Sequence, residues 1–249
     1  MTSRKSKKIY EEIKKNLKEN APQLTQDQKS RMYKILNSSD PNFVGYGLKL
    51  SDIEKIVRII FNNNKCNHDN AIQIFKRLIA SNIHDEKFAG IFFLNRIKSE
   101  FNEQTIDLFH DELSKHCDTW ALLDSTCIRV IGPFLEKHEK LAEKTIEMWS
   151  NDKNLWIRRA SMVILLKIIS IRKAFDEKYL FKLVEKNLKY PEDYIQKGMG
   201  WLLKTASKFK PDVIFNYLEK NKAILPRLVL RYGSEKLPKE KRAQILKKE

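Results

Sequence analysis

The chain has 249 residues, a formal net charge of +16 from 48 Lys and Arg against 32 Asp and Glu, and 42% hydrophobic residues. This length and apolar content are sufficient for a sizeable core, while only seven glycines and seven prolines favour helices over a turn-rich sheet. Three scattered cysteines and no secretory signal argue against a disulfide scaffold, and the longest apolar run, residues 162–166, is too short to span a membrane. We therefore expect a reduced, cytoplasmic protein (nucleoid-associated, or nuclear in a eukaryote).

Amphipathic segments joined by short polar links follow one another along the chain, which predicts an all-α protein of a single domain. Residues 1–8 are polar and basic and are predicted to be disordered or fraying, and 45–47 are predicted to form a loop. Capping-box patterns at Thr25 and Ser51, and Pro191 in a first turn, predict three helix starts. The predicted helices span Lys8–Asn20, Thr25–Asn37, Ser51–Asn62, Asn70–Ser81, Glu86–Ser99, Glu103–His116, Thr119–Lys137, Lys140–Ser150, Lys153–Ser170, Glu177–Lys189, Pro191–Lys208, Asp212–Asn221, Ala223–Tyr232 and Lys239–Lys248.

A weak repeat runs through these helices. Four similar segments start at Phe88, Trp120, Ile157 and Ile195, which are 32, 37 and 38 residues apart, and each lies near the start of the second helix of a pair. Repeats of this size with two helices per unit indicate an α-solenoid of the HEAT or armadillo type. Stacked second helices of such a fold line a concave face, and on this basic chain that face suits either duplex DNA or a protein.

The positive charge favours a polyanionic partner, because lysines and arginines raise the local concentration of phosphate backbones. The lysines are spread along the whole chain, so a lysine-rich composition without a dedicated ligand is the alternative.

Trp120 and Asp124 are four residues apart in an apolar helix and therefore share one face. A buried carboxylate needs a partner or a function, and a cation satisfies either requirement. Trp120 is also compatible with a place in the core, and Asp124 with an ion pair to an arginine of a neighbouring repeat, for which Arg159 is the candidate. Arg159 and Lys197 occupy equivalent places in adjacent repeats, and Trp201 follows Lys197 by one helical turn.

Three motifs in this order and spacing resemble the AlkD family of DNA alkylpurine glycosylases. They are Trp120-Ala-Leu-Leu-Asp124, Asn154-Leu-Trp-Ile-Arg-Arg159-Ala and Tyr194-Ile-Gln-Lys-Gly-Met-Gly-Trp201. The resemblance extends from about Asp69 to Asn221 and is specific as a combination of three motifs, whereas each motif alone is weak.

The resemblance implies a HEAT-like repeat protein that holds duplex DNA in its concave groove and removes cationic N3- or N7-alkylated purines without flipping the base. It implies that Asp124 is the catalytic carboxylate and that Trp120 and Trp201 pack against the deoxyribose and backbone of the lesion. Arg159 would bind a nearby phosphate, with Lys197 and Arg158 beside it. We expect the protein to act as a monomer in base excision repair, without a membrane partner.

Two departures from the family concern its aromatic residues. The family often has a second aromatic residue directly before the position of Trp120, where this chain has Thr119. The aromatic residue that lines the groove near the N-terminus of the family corresponds to Tyr33 or, in the other register, to Met32. Both departures affect the expected range of substrates more than the chemistry.

No metal or cofactor is expected. Cys66, His68, His116 and Cys117 match no common zinc spacing, and no glycine-rich phosphate loop is present. Two non-catalytic functions stay open beside the glycosylase: a HEAT-repeat protein that binds distorted or branched DNA, and a protein–protein scaffold. Retention of both Trp120 and Asp124 favours the enzyme.

Overall fold

The computed structural model describes residues 2–247, and these form an all-helical protein of the HEAT-like class, which confirms the predicted fold class. In the described range β-pairing is limited to one isolated bridge, between Val44 and Ile83. No described helix is long and apolar enough to cross a membrane. The helices are α1 (Thr2–Glu19), α2 (Gln26–Leu36), α3 (Leu50–Asn63), α4 (His68–Ile79), α5 (His84–Leu94), α6 (Glu103–His116), α7 (Trp120–Thr126), α8 (Gly132–Leu135), α9 (Glu139–Trp149), α10 (Leu155–Arg172), α11 (Glu177–Asn187), α12 (Asp193–Ala206), α13 (Pro211–Lys220), α14 (Arg227–Gly233) and α15 (Lys239–Leu246).

The helices divide into two compact units, Met1–Thr126 and Cys127–Glu249, which are described separately below. The boundary lies where α7 passes into a π-helical turn, Cys127–Ile131, that leads to α8. The prediction of a single domain stays a prediction.

Short links join helices in pairs, and the four repeat segments of the sequence lie in the second helices α5, α7, α10 and α12. The reason for the pairing is visible in the burial of each helix. Every residue of α5 is buried, as are almost all residues of α10 from Trp156 to Ile169, whereas α4 and α9 bury one face. A helix that is buried on all sides needs neighbours on all sides, which the first helices and the adjacent second helices provide.

The prediction of disorder over residues 1–8 is wrong for residues 2–8, because α1 begins at Thr2. Met1 lies outside the described residues. Ser6 is fully buried, and its hydroxyl accepts a hydrogen bond of 3.1 Å from Nδ2 of Asn70 in α4. Ile9, one turn later, is also fully buried. A tertiary contact 64 residues away along the chain therefore orders a segment that local composition marks as polar.

The predicted helix starts had mixed outcomes. The capping box at Thr25 is present, with its side chain bound to the backbone of Gln28 and the reverse bond in place. The one predicted at Ser51 is wrong, because α3 starts a residue earlier after Lys49, whose side chain makes no capping hydrogen bond. Pro191 precedes α12 and does not lie in its first turn.

Two long predicted helices are interrupted. The segment 86–99 is an α-helix to Leu94 and a 3₁₀-helix over Asn95–Glu100, and the segment 119–137 changes from α to π geometry at Cys127. The predicted loop at 45–47 is confirmed. Gly47 has a φ of +82°, which an L side chain rarely adopts, and a Cβ there would lie 2.6 Å from Cδ1 of Leu24.

Candidate functional site

Thr119 forms the N-terminal cap of α7. Its hydroxyl accepts a hydrogen bond of 3.2 Å from the backbone N–H of Leu122, and its carbonyl accepts one of 3.3 Å from Leu123. The residue is fully buried. At the position where the family often has a second aromatic residue, this chain therefore has a side chain that satisfies a free N–H group at the helix start.

Polar contacts in the first unit fix the link between α6 and α7. Lys87 of α5 is 4% exposed, and its Nζ lies 3.0 Å from Oδ2 of Asp118 and donates a hydrogen bond of 2.7 Å to the carbonyl of His116. The same carboxylate oxygen accepts from the hydroxyl of Ser38 at 3.2 Å, and the carbonyl of Asp118 accepts from the N–H of Ser39 at 2.9 Å. Asp118, the residue before Thr119, is thus bound to both α5 and the segment after α2, and His116 is bound to α5.

Trp120 is the first residue of α7 and is partly exposed. Its indole Nε1 donates a hydrogen bond of 3.1 Å to the carbonyl of Ile35 near the end of α2. The structure thus brings α2 next to the predicted site. Tyr33 in α2 is 39% exposed, and its ring makes an edge contact with that of Phe43 at 5.6 Å between centroids. Met32, the other candidate for the groove aromatic, points against Gly45, where an added Cβ would meet its Cε at 2.8 Å.

Asp124 lies one turn after Trp120 and is 5% exposed. Its charge acts on the buried Cys117: burial raises the pKa of this thiol well above its usual range, and the carboxylates of Asp118 and Asp124 raise it further. Cys117 is therefore a neutral thiol at physiological pH. The carboxylate of Asp124 is buried, and a buried charge acts more strongly on a nearby cation than a charge in water.

A cavity of about 460 Å³ separates α2 from α3, α5 and α7 in the first unit. Each residue of α2 is at least partly exposed, so this helix covers the cavity without entering the core. His84 lines the cavity, and its Nδ1 is buried without a hydrogen-bond partner among the described residues. Burial lowers the pKa of His84 to about 4, so the imidazole is neutral at physiological pH. The lining residues are Gln28, Arg31, Met32, Ile35, Leu36, Gly47, Leu48, Leu50, Ile53, His84, Asp85, Phe88, Ala121 and Ser125.

The second unit carries the other predicted residues, with Arg158 and Arg159 on α10 and Lys197 and Trp201 on α12. Tyr194, Lys197 and Trp201 are partly exposed and share one face of this helix by their spacing of three and four residues. Nζ of Lys197 lies 3.4 Å from Oδ2 of Asp193 and 5.8 Å from the ring centre of Tyr194. A lysine between two aromatic rings can contact a phosphate together with the adjoining sugars.

The two glycines of the third motif allow close packing on both sides of α12. A Cβ on Gly198 would lie 2.9 Å from Cε of Met162 in α10, and one on Gly200 would lie 2.4 Å from Cβ of Tyr232 in α14. An alanine at position 200 would force α14 to move, whereas at position 198 the nearest atom is the end of the flexible Met162 side chain, which can shift. Packing therefore explains Gly200 of the motif.

The two predicted arginines are buried, each 5% exposed. Arg158 donates from Nη1 to the carbonyls of Asp152 and Lys153 at 3.0 and 2.8 Å and from Nη2 to Glu192 at 2.7 Å. Both Nη groups are thus bound within the protein and Nε is buried, so we do not retain Arg158 as a phosphate ligand. Arg159 donates from Nη1 to the carbonyl of Tyr194 in the first turn of α12.

The structure thus brings Trp120 and Asp124 together with α2 in one unit, and Arg159 together with Tyr194 and Lys197 in the other. Lys87 and Asp118 were missed as site-supporting residues. A signal for them exists in the sequence, since Lys87 directly precedes the apolar run from Phe88 and Asp118 directly precedes the cap of α7. Across residues 2–247, no group of three or more His, Cys, Asp or Glu residues is arranged to hold a metal ion.

Two comparisons with known proteins bear on the family and the fold. A protein-family model described as DNA alkylation repair enzyme matches residues 13–237. A solved structure described as "Predicted DNA alkylation repair enzyme from Enterococcus faecalis" is similar at a TM-score of 0.74 and 17% identity, covering 87% of this chain and 98% of that one. No curated protein matches the chain. Because the family match covers most of the sequence, the chain belongs to the family of DNA alkylation repair enzymes.

Proposed function

We propose that the protein is a DNA glycosylase that hydrolyses the N-glycosidic bond of cationic N3- or N7-alkylated purines in duplex DNA without flipping the base. Membership of a DNA alkylation repair family makes DNA the substrate. The observation that carries the finer proposal is the buried carboxylate of Asp124, one helical turn after the partly exposed Trp120 in a helix whose start is fixed by several contacts.

The chemistry requires little acid catalysis. Alkylation at N3 or N7 makes the purine a cation and hence a good leaving group, so the base needs no strong proton donor to depart. Its departure leaves an oxocarbenium-like sugar, which glycosidases stabilise with a carboxylate. In this proposal Asp124 stabilises that cation and orients the attacking water, and its burial strengthens the interaction.

The remaining residues bind the DNA backbone in this proposal. Trp120 and Trp201 pack against the deoxyribose and backbone of the lesion, Tyr33 lines the groove, and Lys197 and Arg159 hold phosphates. The partial exposure of Trp120, Trp201, Tyr33 and Lys197 supports contact with a ligand. Arg159 is more deeply placed, so its contact requires a phosphate that approaches the first turn of α12. An enzyme that reads the backbone in this way does not need to extrude the base into a pocket.

Non-catalytic binding of distorted or branched DNA is the second candidate. The net charge of +16 supports it as well as it supports a glycosylase. Only the Asp124 and Trp120 pair distinguishes them, because a pure binding protein gains nothing from a negative charge near a phosphate backbone.

The test is release of base from a duplex oligonucleotide with a single N7-methylguanine, followed as alkali-labile abasic sites under single-turnover conditions. We expect release by wild type and a decrease of about 100-fold or more for Asp124→Asn, the scale that loss of one preorganised electrostatic group has in other enzymes. Absence of release by wild type, together with salt-sensitive binding of the duplex, would favour the binding protein.

Asp85→Asn is the matched control, because Asp85 is 3% exposed and also lies in the first unit. Its carboxylate accepts backbone N–H groups of Tyr46 and Leu48 at 2.7 and 2.9 Å and thereby holds the loop between α2 and α3. Removal of this charge tests whether any buried acid is required. A release rate that falls equally in both variants would contradict the role assigned to Asp124.

A further inference from the structure

Lys87 and Asp118 lie outside the proposed active site, and their contacts lie at the residues just before α7 begins. The ammonium of Lys87 contacts the carboxylate of Asp118 and the last carbonyl of α6, at His116, at the same time. The side chains are 4% and 7% exposed, so the pair is shielded from water and salt. One side chain of α5 thus holds the residues on both sides of Cys117.

The same link is bound from the other side by the segment after α2. Ser38 and Ser39 both donate to Asp118, and Trp120 donates from its indole to Ile35. Four hydrogen bonds among the described residues therefore join residues 35–39 to 118–120, and three of them end on Asp118. Most of the polar contact between the end of α2 and the start of α7 thus passes through this residue.

Stability alone does not account for a pair of this kind. Replacing a buried ion pair with apolar side chains of similar size is often neutral or stabilising, because desolvation offsets most of the attraction. What the pair adds is direction, since Oδ2 of Asp118 is held by both the ammonium of Lys87 and the hydroxyl of Ser38, while its Oδ1 is buried without a hydrogen-bond partner among the described residues. All the partners of Lys87 and Asp118 described here lie at the end of α2 or at the link before α7.

We propose that Lys87 and Asp118 are positioning residues that orient the first turn of α7, and with it Trp120 and Asp124, relative to α2 as base release requires. This inference rests on the proposed glycosylase function. It assigns no contact with DNA to either residue, because both act through α7.

The experiment uses the double variant Lys87→Met/Asp118→Asn, which leaves no unpaired buried charge and therefore keeps the chain folded. We expect the single-turnover rate of base release to fall about tenfold, on the scale of a small misplacement of catalytic groups, while the Kd for undamaged duplex is unchanged. Rates are measured well below the Tm of each protein, so that unfolding does not contribute.

Glu86→Gln is the control. Glu86 is the preceding residue of α5 and is fully buried, but its partners are the hydroxyls of Ser81 and Tyr46, at 2.8 and 3.4 Å, and Nζ of Lys14 at 3.8 Å. It perturbs α5 without touching the start of α7. We expect this variant to lose stability and to retain the rate of release.

A second readout is independent of activity. Protein labelled with 5-fluorotryptophan gives a ¹⁹F resonance for Trp120, assigned through Trp120→Phe. We expect this resonance to shift or broaden in the double variant and to stay in place in Glu86→Gln, while that of the buried Trp149 of the second unit is unchanged in both.

A folded double variant with the wild-type rate and an unchanged Trp120 resonance would overturn the proposal. A rate that falls equally in Glu86→Gln would also overturn it, because the effect would then be general destabilisation. If wild type releases no base, the proposed function fails, and the Trp120 resonance alone decides whether the pair positions α7.

Discussion

Helices α7 and α12 each present a tryptophan, but they are fixed by different means. The start of α7 is held by hydrogen bonds and a buried ion pair, through Thr119, Asp118 and Lys87. Helix α12 is held by close contact of glycine backbones with α10 and α14, at Gly198 and Gly200. Trp120 accompanies a buried carboxylate, whereas Trp201 shares its face with a partly exposed lysine and a tyrosine.

The two means of fixing a helix correspond to the two roles proposed for these helices. A carboxylate that acts on a transient cation must be held in a defined orientation, and directional polar contacts provide it. A surface that follows a phosphate backbone needs a rigid helix with exposed side chains, and dense packing behind it provides that. The predictions below test this contrast, from the largest expected effect to the smallest.

Gly200→Ala tests the packing of α12 and carries the largest effect. The new Cβ would lie 2.4 Å from Cβ of Tyr232 and 3.3 Å from the carbonyl of Val229, so α14 must move. We expect a loss of about 2–3 kcal/mol in the free energy of unfolding, typical of overpacking in a tight core. Gly233→Ala is the control, since its nearest contact is 3.3 Å, to the side chain of Leu203. Equal denaturant midpoints for the two variants would contradict the close approach at Gly200.

Acid should destabilise the folded protein through His84, which lines the cavity next to α7. Its pKa in the folded protein is about 4, below the ordinary value of 6.5, so the unfolded chain binds a proton that the folded one does not between these values. The free energy of unfolding that depends on His84 is therefore fully present above pH 6.5 and is lost as the pH falls towards 4. We expect His84→Phe to remove about 1–2 kcal/mol of the difference in unfolding free energy between pH 7 and pH 5. An identical pH dependence in both proteins, measured by urea unfolding, would show that His84 does not bind a proton on unfolding.

Trp120→Phe keeps an aromatic face and removes the hydrogen bond to Ile35. We expect a loss of about 1 kcal/mol in stability, the usual net contribution of one such bond, and higher amide exchange in α2. Hydrogen exchange measured by mass spectrometry checks the second effect. Trp201→Phe serves as the control, because it lies in the second unit and should leave exchange in α2 unchanged.

Lys197→Ala tests the exposed face of α12 and has the smallest effect. Loss of one phosphate contact should lower the slope of log affinity against log salt by about 0.9 and weaken binding a few-fold. The rate at saturating enzyme should stay near that of wild type, because the residue does not act on the reacting sugar. Lys208→Ala, which removes an exposed lysine just after α12, is the matched control. A slope that is unchanged in Lys197→Ala would remove this residue from the interface.

Much of the helical pattern was predictable because the local spacing of apolar residues indicates it. The second helices of the pairs were found at α5, α7, α10 and α12 through their nearly continuous apolar runs. The start of α1 was not, because the partner of Ser6 is Asn70, whose position no local pattern indicates. The π-helical turn at Cys127–Ile131 was also missed, since it interrupts a run of apolar residues that is compatible with an uninterrupted helix.

The sequence by itself determined the helical class, the positive charge, the family and the spacing that puts Trp120 and Asp124 on one face. All of these follow from composition, from motifs or from the 3.6-residue period of a helix. Tertiary structure decided which charged groups can contact a ligand and which bind other groups of the protein. Arg158 looks like a phosphate ligand in the sequence but binds carbonyls and Glu192, and Lys87 pairs with Asp118 across 31 positions of the chain. The physical reason is that the partner of a buried charge is set by the packing of helices, which brings together residues that are far apart in sequence.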